Sequence, residues 1–120
     1  MISIHHSSLI VSELEVALEF YRDFLGLKVD QNRPISDYDG AWLWVGSQQI
    51  HLLVLPNPDP EDGRPLHVGR DRHTALSIVG IESLCERLDE AGIPYTRSKS
   101  GRKAVFCRDP DQNGLEFVEN

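Results

Sequence analysis

His6, His51, His73 and Glu116 carry the nitrogen and oxygen donors that suit a divalent metal, and they fall into two copies of one spacing. His6 to His51 is 45 residues and His73 to Glu116 is 43, with the copies offset by 67 at the first position and 65 at the second. Taken singly, each is better read as a surface or hydrogen-bonded side chain, and the repeat and shared phase reverse that reading. Strand alternation adds a second test. Successive side chains of a strand point to opposite faces, so His6 shares a face with Ser8 and Ile10 while Leu9 and Val11 look the other way. His51 lies between Ile50 and Leu52, His73 precedes Leu76 and Ile78 in opposite phase, and Glu116 lies between Leu115 and Phe117. In all four strands the apolar neighbours take the face open to a helix and the marked residue points away. Three imidazoles and a carboxylate merely buried together would be costly, whereas as ligands they suit a divalent cation. The set favours zinc or nickel, with Fe(II) or manganese also accommodated. His5 and His67 stand outside the repeat and are expected to face solvent or to support the ligands.

The elements that must position these residues repeat too. After His6 come Leu9, Val11 and Leu14, then a helical stretch ending at Gly26; after His73 come Leu76, Ile78 and Ile81, then another ending at Gly92. Each glycine stands where a helix hands over to a strand, because it adopts the left-handed conformation that closes a helix. Ser12 and Glu15 predict a capping box, with Leu14, Leu18, Tyr21 and Leu25 on one face. A second helix is predicted over 82 to 91. Strands are predicted over 2 to 11, 27 to 33, 41 to 45, 49 to 55, 73 to 79, 93 to 98, 104 to 108 and 115 to 119. Turns are predicted at Ser47 and Gln48, at Ser100 and Gly101, and from Asp109 to Gly114. The expectation is an α+β fold in one domain, 1–120: two βαβββ modules, 1–56 and 70–120, with cupped mixed sheets and helices on the outer face. The segment 57–69 would link them, and with its neighbours Pro56 and Arg70 it is too rich in proline to supply a central strand.

Charge removes several function classes. Twelve basic and 19 acidic side chains give a formal charge of −7, against the basic face that nucleic acid or an anionic membrane requires. No apolar run is long enough to span a membrane and the amino terminus lacks a signal pattern, so the expected location is the cytoplasm. Cys85 and Cys107 have no paired spacing and read as reduced, buried thiols.

The stretch His6-Ser7-Ser8-Leu9-Ile10-Val11-Ser12-Glu13-Leu14 with Phe20-Tyr21 and Leu25-Gly26, and Arg72-His73-Thr74-Ala75-Leu76 with Asp109-Pro110-Asp111 and Leu115-Glu116-Phe117, resemble the vicinal oxygen chelate superfamily. That superfamily includes glyoxalase I, fosfomycin-resistance thiol transferases, extradiol dioxygenases and bleomycin-binding proteins. The resemblance implies paired βαβββ modules holding one divalent metal per site, with ligands at the positions of His6, His51, His73 and Glu116. It also implies departures. Glyoxalase I usually has Glu or Gln at the place of His51, and the bacterial type holds glutathione with an Arg and an Asn where this chain has Ile10 and Leu55. A true glutathione-dependent activity is therefore not expected.

The expected function is a glyoxalase-like, metal-dependent lyase or isomerase acting on a small oxygenated, anionic metabolite. Glu116 would be the catalytic base beside a carbonyl. Trp42 and Trp44 share a strand face and would wall a pocket, although ordinary packing explains them equally well. Arg70 and Arg72, with Lys99, Arg102 and Lys103 around a glycine turn, would receive an anionic substrate; a solvated hairpin tip explains the last three equally well. The alternatives are a non-catalytic small-molecule binding or resistance protein and an iron-dependent ring-cleaving dioxygenase. Since one module carries only two ligands, the resemblance further implies a homodimer, each site using the first module of one chain and the second of its partner.

Overall fold

A computed structural model describes residues 1–120, which form two compact units, Met1–Pro60 and Glu61–Asn120. The first contains β1 (His6–Val11), α1 (Leu14–Leu18), β2 (Lys28–Val29), β3 (Gly40–Val45) and β4 (Gln48–Val54). The second contains β5 (His73–Ile78), α2 (Ile81–Ala91), β6 (Tyr95–Arg97), β7 (Ala104–Arg108) and β8 (Gly114–Glu119). Each has a four-stranded mixed sheet, ordered β1-β4-β3-β2 and β5-β8-β7-β6, the first pair parallel and the rest antiparallel. These are the two βαβββ modules of an α+β fold.

The apolar phase of each strand explains the packing. In the first unit Val11, Ala41, Leu43, Ile50 and Leu52 are buried, as are Ala17, Leu18, Phe20 and Tyr21 of the helical segment that meets β4. In the second, Val105, Cys107, Leu115 and Phe117 bury with Ile81, Leu84, Cys85 and Leu88 of α2. Each helix thus takes the sheet face opposite the marked residues.

Several boundaries differ from expectation for identifiable reasons. The first helix is α-helical only to Leu18 and continues as a π-turn over Glu19–Phe24, with the Leu25 amide reaching the Phe20 carbonyl at 2.9 Å. The wider turn rotates the apolar stripe, so Ala17, Leu18, Phe20 and Tyr21 bury while Leu14 and Leu25 remain half-exposed. The helix opens with Glu13 as N-cap, one residue later than the predicted capping box of Ser12 and Glu15 would start it, and the Glu13 side chain makes no cap bond. The predicted first strand loses residues 2 to 5, because β4 reaches back only as far as the His6↔Gln49 pair, beyond which the Gln48 amide alone touches the Ile4 carbonyl. The predicted strand 27 to 33 shrinks to two residues where Asp30 accepts from the Asn32 amide and turns the chain. Gly46, not Gln48, makes the β3–β4 turn with Ser47, at φ 58°. The part of the predicted linker nearest β5 is ordered against the second unit: a 3₁₀ turn at Val68–Arg70 buries Val68, and Arg64 pairs with Asp71.

Candidate metal and substrate site

The repeat in the sequence is also a repeat of register. In the first unit Ser8 pairs with His51, and Trp42 pairs with His51 from the other side; in the second, Ala75 pairs with Glu116, and Phe106 pairs with Glu116. His6 and His73 each stand two residues before the first member of those pairs. Two strands' hydrogen bonding therefore brings His6 beside His51, and His73 beside Glu116.

In the first unit the rings form a stack. His51 lies 4.2 Å from Trp42 and 4.0 Å from His6 between ring centroids, with planes 6° and 18° apart. Gln49, on the same strand face two residues earlier, donates from Nε2 to Asp30 at 2.9 Å, which leaves its amide oxygen to accept from His51 Nε2 at 2.7 Å. That bond puts the His51 hydrogen on Nε2 and the lone pair on Nδ1. Burial lowers the His51 pKa, helped by the charges of His6, His5 and Arg33 and opposed by Asp30. A neutral ring is the form a metal requires. His5 is exposed, with its Nδ1 2.8 Å from His6 Nδ1.

In the second unit the His73 Nδ1–H donates to the Asp71 carbonyl at 2.8 Å, which turns Nε2 to Glu116 Oε1 at 3.1 Å. With the ring neutral, two acceptors face each other across that gap. Either a proton on Nε2 or a shared cation must reconcile them. Two donors each ~2.1 Å from one ion and roughly at right angles subtend about 3 Å, so the pair fits two adjacent ligands of a metal. Glu116 is buried, and its Oε2 accepts from Arg102 at 2.7 Å. Within neither unit do three or more His, Cys, Asp or Glu side chains gather into a metal-binding group; each supplies two of the four marked residues.

Asp71 is itself anchored. Its side chain accepts from Arg64 and Arg108, both at 2.9 Å, and Arg108 also reaches the carbonyls of Gln112 and Pro65. Burial pushes the Asp71 carboxyl up, but the Arg72 amide and the two guanidinium groups outweigh it and hold the carboxyl below its usual range. Asp109 is buried and accepts from the Asp111 and Asn113 amides at 2.8 and 2.9 Å, which shapes the loop that feeds Glu116 into β8.

The other predicted residues divide. Trp42 joins the stack, and Trp44 follows on the same face, 43% exposed and paired with Gln49 and Lys28. Arg102 reaches Glu116, but Lys103 turns the other way to Glu119 at 3.6 Å, beside the start of α2. Lys99, Arg70 and Arg72 are exposed. His67 is not solvent-facing: it is half-buried, 2.7 Å from the Thr96 hydroxyl and edge-on to Phe106. Sequence reasoning missed Gln49, Asp71 and Phe106. Gln49 carried a usable signal, since alternation places it on the His51 face; Asp71 acts through its backbone carbonyl, which no side chain announces.

Comparison with known proteins concerns the chain as a whole. The chain is 32% identical over 124 residues to the uncharacterised protein YwkD of Bacillus subtilis (strain 168), covering 98% of this chain and 96% of that one. It is 26% identical over 126 residues to lactoylglutathione lyase of Haemophilus influenzae, covering 96% and 90%. Its fold matches the Listeria monocytogenes fosfomycin resistance protein FosX, solved as an E126Q mutant with Mn(II) and 1S,2S-dihydroxypropylphosphonic acid, at a TM-score of 0.74 and 18% identity, covering 100% and 94%. The sequence profile of the Glyoxalase/Bleomycin resistance protein/Dioxygenase superfamily matches residues 3–117, nearly the whole chain. No helix is long and apolar enough to cross a membrane. The chain belongs to the glyoxalase/bleomycin resistance protein/dioxygenase superfamily.

Proposed function

We propose that the protein is a cytoplasmic, metal-dependent lyase or isomerase acting on a small oxygenated anion. The observation that carries this reading is the pair His73 Nε2 and Glu116 Oε1, 3.1 Å apart, with the His73 ring oriented at Nδ1 by the Asp71 carbonyl. His6, His51, His73 and Glu116 would hold one divalent ion, zinc or nickel in first place, with Fe(II) or manganese also suited to the set. When bound, such an ion supplies a Lewis acid for a substrate oxygen. The chain's own groups do the rest. Glu116 is the base that removes a proton from the carbon beside a carbonyl, once Arg102 leaves its Oε2. Arg102 is 57% exposed at its side chain, so an incoming substrate anion can draw it off. Trp42 walls the site beside His51 and excludes water from that side. Ile10 and Leu55, where the bacterial glyoxalase I pattern has its glutathione contacts, offer no charge-assisted partner, so glutathione is not the carrier.

Since each module supplies two of the four residues, we further propose a homodimer in which modules 1–56 and 70–120 of different chains serve one site. Metal titration against a competing chelator tests the ligand set. His73→Ala and Glu116→Ala should abolish tight binding and His5→Ala should retain it; equal retention by all three would reject the assignment.

A further inference from the structure

Four arginines are half-buried: Arg22, Arg33, Arg64 and Arg108. Three of them pair with carboxylates, Arg22 with Glu15 and Asp23, and both Arg64 and Arg108 with Asp71. Arg33 does not. Its Nη2 donates to the Tyr38 carbonyl at 2.9 Å, and its guanidinium carbon lies 5.5 Å from the centre of the Tyr38 ring, two partners that carry no net charge. The acidic residues of the same loop are engaged elsewhere: Asp30 accepts from Asn32 and Gln49, Asp37 from Ser36, and Asp39 from the Gly40 amide. Removing a cation from water without a counter-charge is costly, and a guanidinium held by one carbonyl keeps most of its donor fork available.

Its position gives that fork a use. A Cβ on Gly40 would stand 3.1 Å from Arg33 Nη2, so the guanidinium lies where β3 begins. Gly40 pairs with Leu53, two residues along from the Trp42↔His51 pair. Two residues of strand are ~7 Å. The cation is held by Tyr38 beside Gly40, about two residues of strand, or ~7 Å of backbone, from the Trp42↔His51 pair.

We propose that Arg33 is the specificity-determining residue of this site, receiving the carboxylate of a short oxo or hydroxy acid whose second oxygen lies about three or four carbons away, toward His51. This rests on the metabolite reading above and narrows it to a class: acids such as 4-oxo carboxylates, in which both ends are recognised. Gly40 belongs to the same device, because a side chain there would displace the guanidinium as well as meet the Leu52 carbonyl.

The test titrates 4-oxopentanoate and its neutral amide into the full chain, following the Arg33 Nε–H and Trp42 indole resonances by NMR. Wild type should bind the acid at least about tenfold more tightly than the amide, which is ~1.4 kcal/mol. Arg33→Met should erase that preference and leave amide binding within about twofold, whereas Arg33→Lys, which keeps the charge and loses the fork, should fall between. Arg22→Ala, a paired arginine of the helical segment, should behave as wild type. No preference in wild type, no binding of either probe, or an unchanged preference in Arg33→Met would overturn the proposal. Metal titration of the same variants separates the two readings. Arg33→Met should bind metal as wild type does, and acid preference surviving in a protein that binds no metal would reject the lyase or isomerase while sparing Arg33.

Discussion

Gly114→Ala should both destabilise the second unit and loosen the proposed metal ligands His73 and Glu116, because Gly114 pairs directly with His73 at the start of the β5–β8 ladder. An added Cβ would stand 2.6 Å from the Arg72 carbonyl oxygen, 2.7 Å from Val68 Cγ1 and 3.3 Å from His73 Cβ. Optimal carbon contacts are ~3.5–4.0 Å, so something must move by roughly 1 Å, and the first obstacle is backbone rather than a flexible side-chain end. Two effects oppose each other. Gly114 is not at positive φ, so alanine would gain about 0.4–1 kcal/mol from a less disordered unfolded chain. Overpacking at a buried position costs about 1–3 kcal/mol, and the rigid neighbours put this site toward the upper end. The net expectation is a loss of about 1–2 kcal/mol, read as a fall of roughly 3–8 °C in Tm for a chain of this size. The displaced backbone carries His73 with it, so metal affinity should fall by about 10-fold or more, as it does when the support of a ligand is lost. Thermal unfolding of the metal-free protein and a chelator-competition titration measure the two effects separately. A variant with wild-type Tm and wild-type metal affinity would show that the close approach of Val68 and Arg72 to β8 is not a constraint.

Three further outcomes follow from other parts of the chain. Burial and the nearby Asp109 charge push the Cys107 thiol up to about 12, so iodoacetamide at about pH 8 should leave Cys107 unmodified in the folded protein and alkylate it after denaturation, as read by mass spectrometry. The Ile81 and Gly80 amides, with Lys103, hold the Glu119 carboxyl below its ordinary value of 4.5; its contribution is therefore present above that value and lost as pH falls through the lower folded pKa. Glu119→Gln should accordingly lower Tm at about pH 7, with the difference from wild type narrowing as pH falls below the ordinary value of 4.5, and a Tm difference that stays constant over that fall would contradict this role at the head of α2. For the proposed dimer, His6→Ala and Glu116→Ala chains refolded together should regain one metal site per heterodimer, since the undamaged modules then meet across the chains; sites confined to one chain would regain none.

The strands and the phase of their side chains were legible because a period of two is fixed by backbone geometry, and the same period locates Gln49 beside His51 and parts Arg102 from Lys103. Adjacency alone groups Arg102 and Lys103 with Lys99 around one glycine turn. Alternation sends Arg102 to the Glu116 face with Ala104 and Phe106, and Lys103 to the helix face with Val105, where Glu119 meets it. What the sequence conceals is structure made by backbone groups. The π-turn at Glu19–Phe24 contains no proline or glycine to announce it. Asp71 orients His73 through a carbonyl, and Arg33 is fixed by another, that of Tyr38. A side-chain motif records neither bond.

The two units also show how one frame can hold its marked histidines in two different ways without moving their register. His6 pairs with Gln49, and His73 pairs at the matching place with Gly114. Gln49 has a side chain that takes the His51 Nε2 hydrogen and leaves Nδ1 as the donor atom. Gly114 has none, and the space above it admits Val68 of the 3₁₀ turn, whose following residue Asp71 takes the His73 Nδ1 hydrogen and leaves Nε2 toward Glu116. The tautomers of His51 and His73 are thus set by the residue opposite the first histidine of each unit, acting directly in one case and through its missing side chain in the other. A Gln at position 114 could not reproduce the first arrangement, since the backbone of Arg72 already occupies the place its Cβ would need. The duplicated register fixes where the four marked residues stand, and the neighbours that broke the duplication decide which ring atom each histidine can offer.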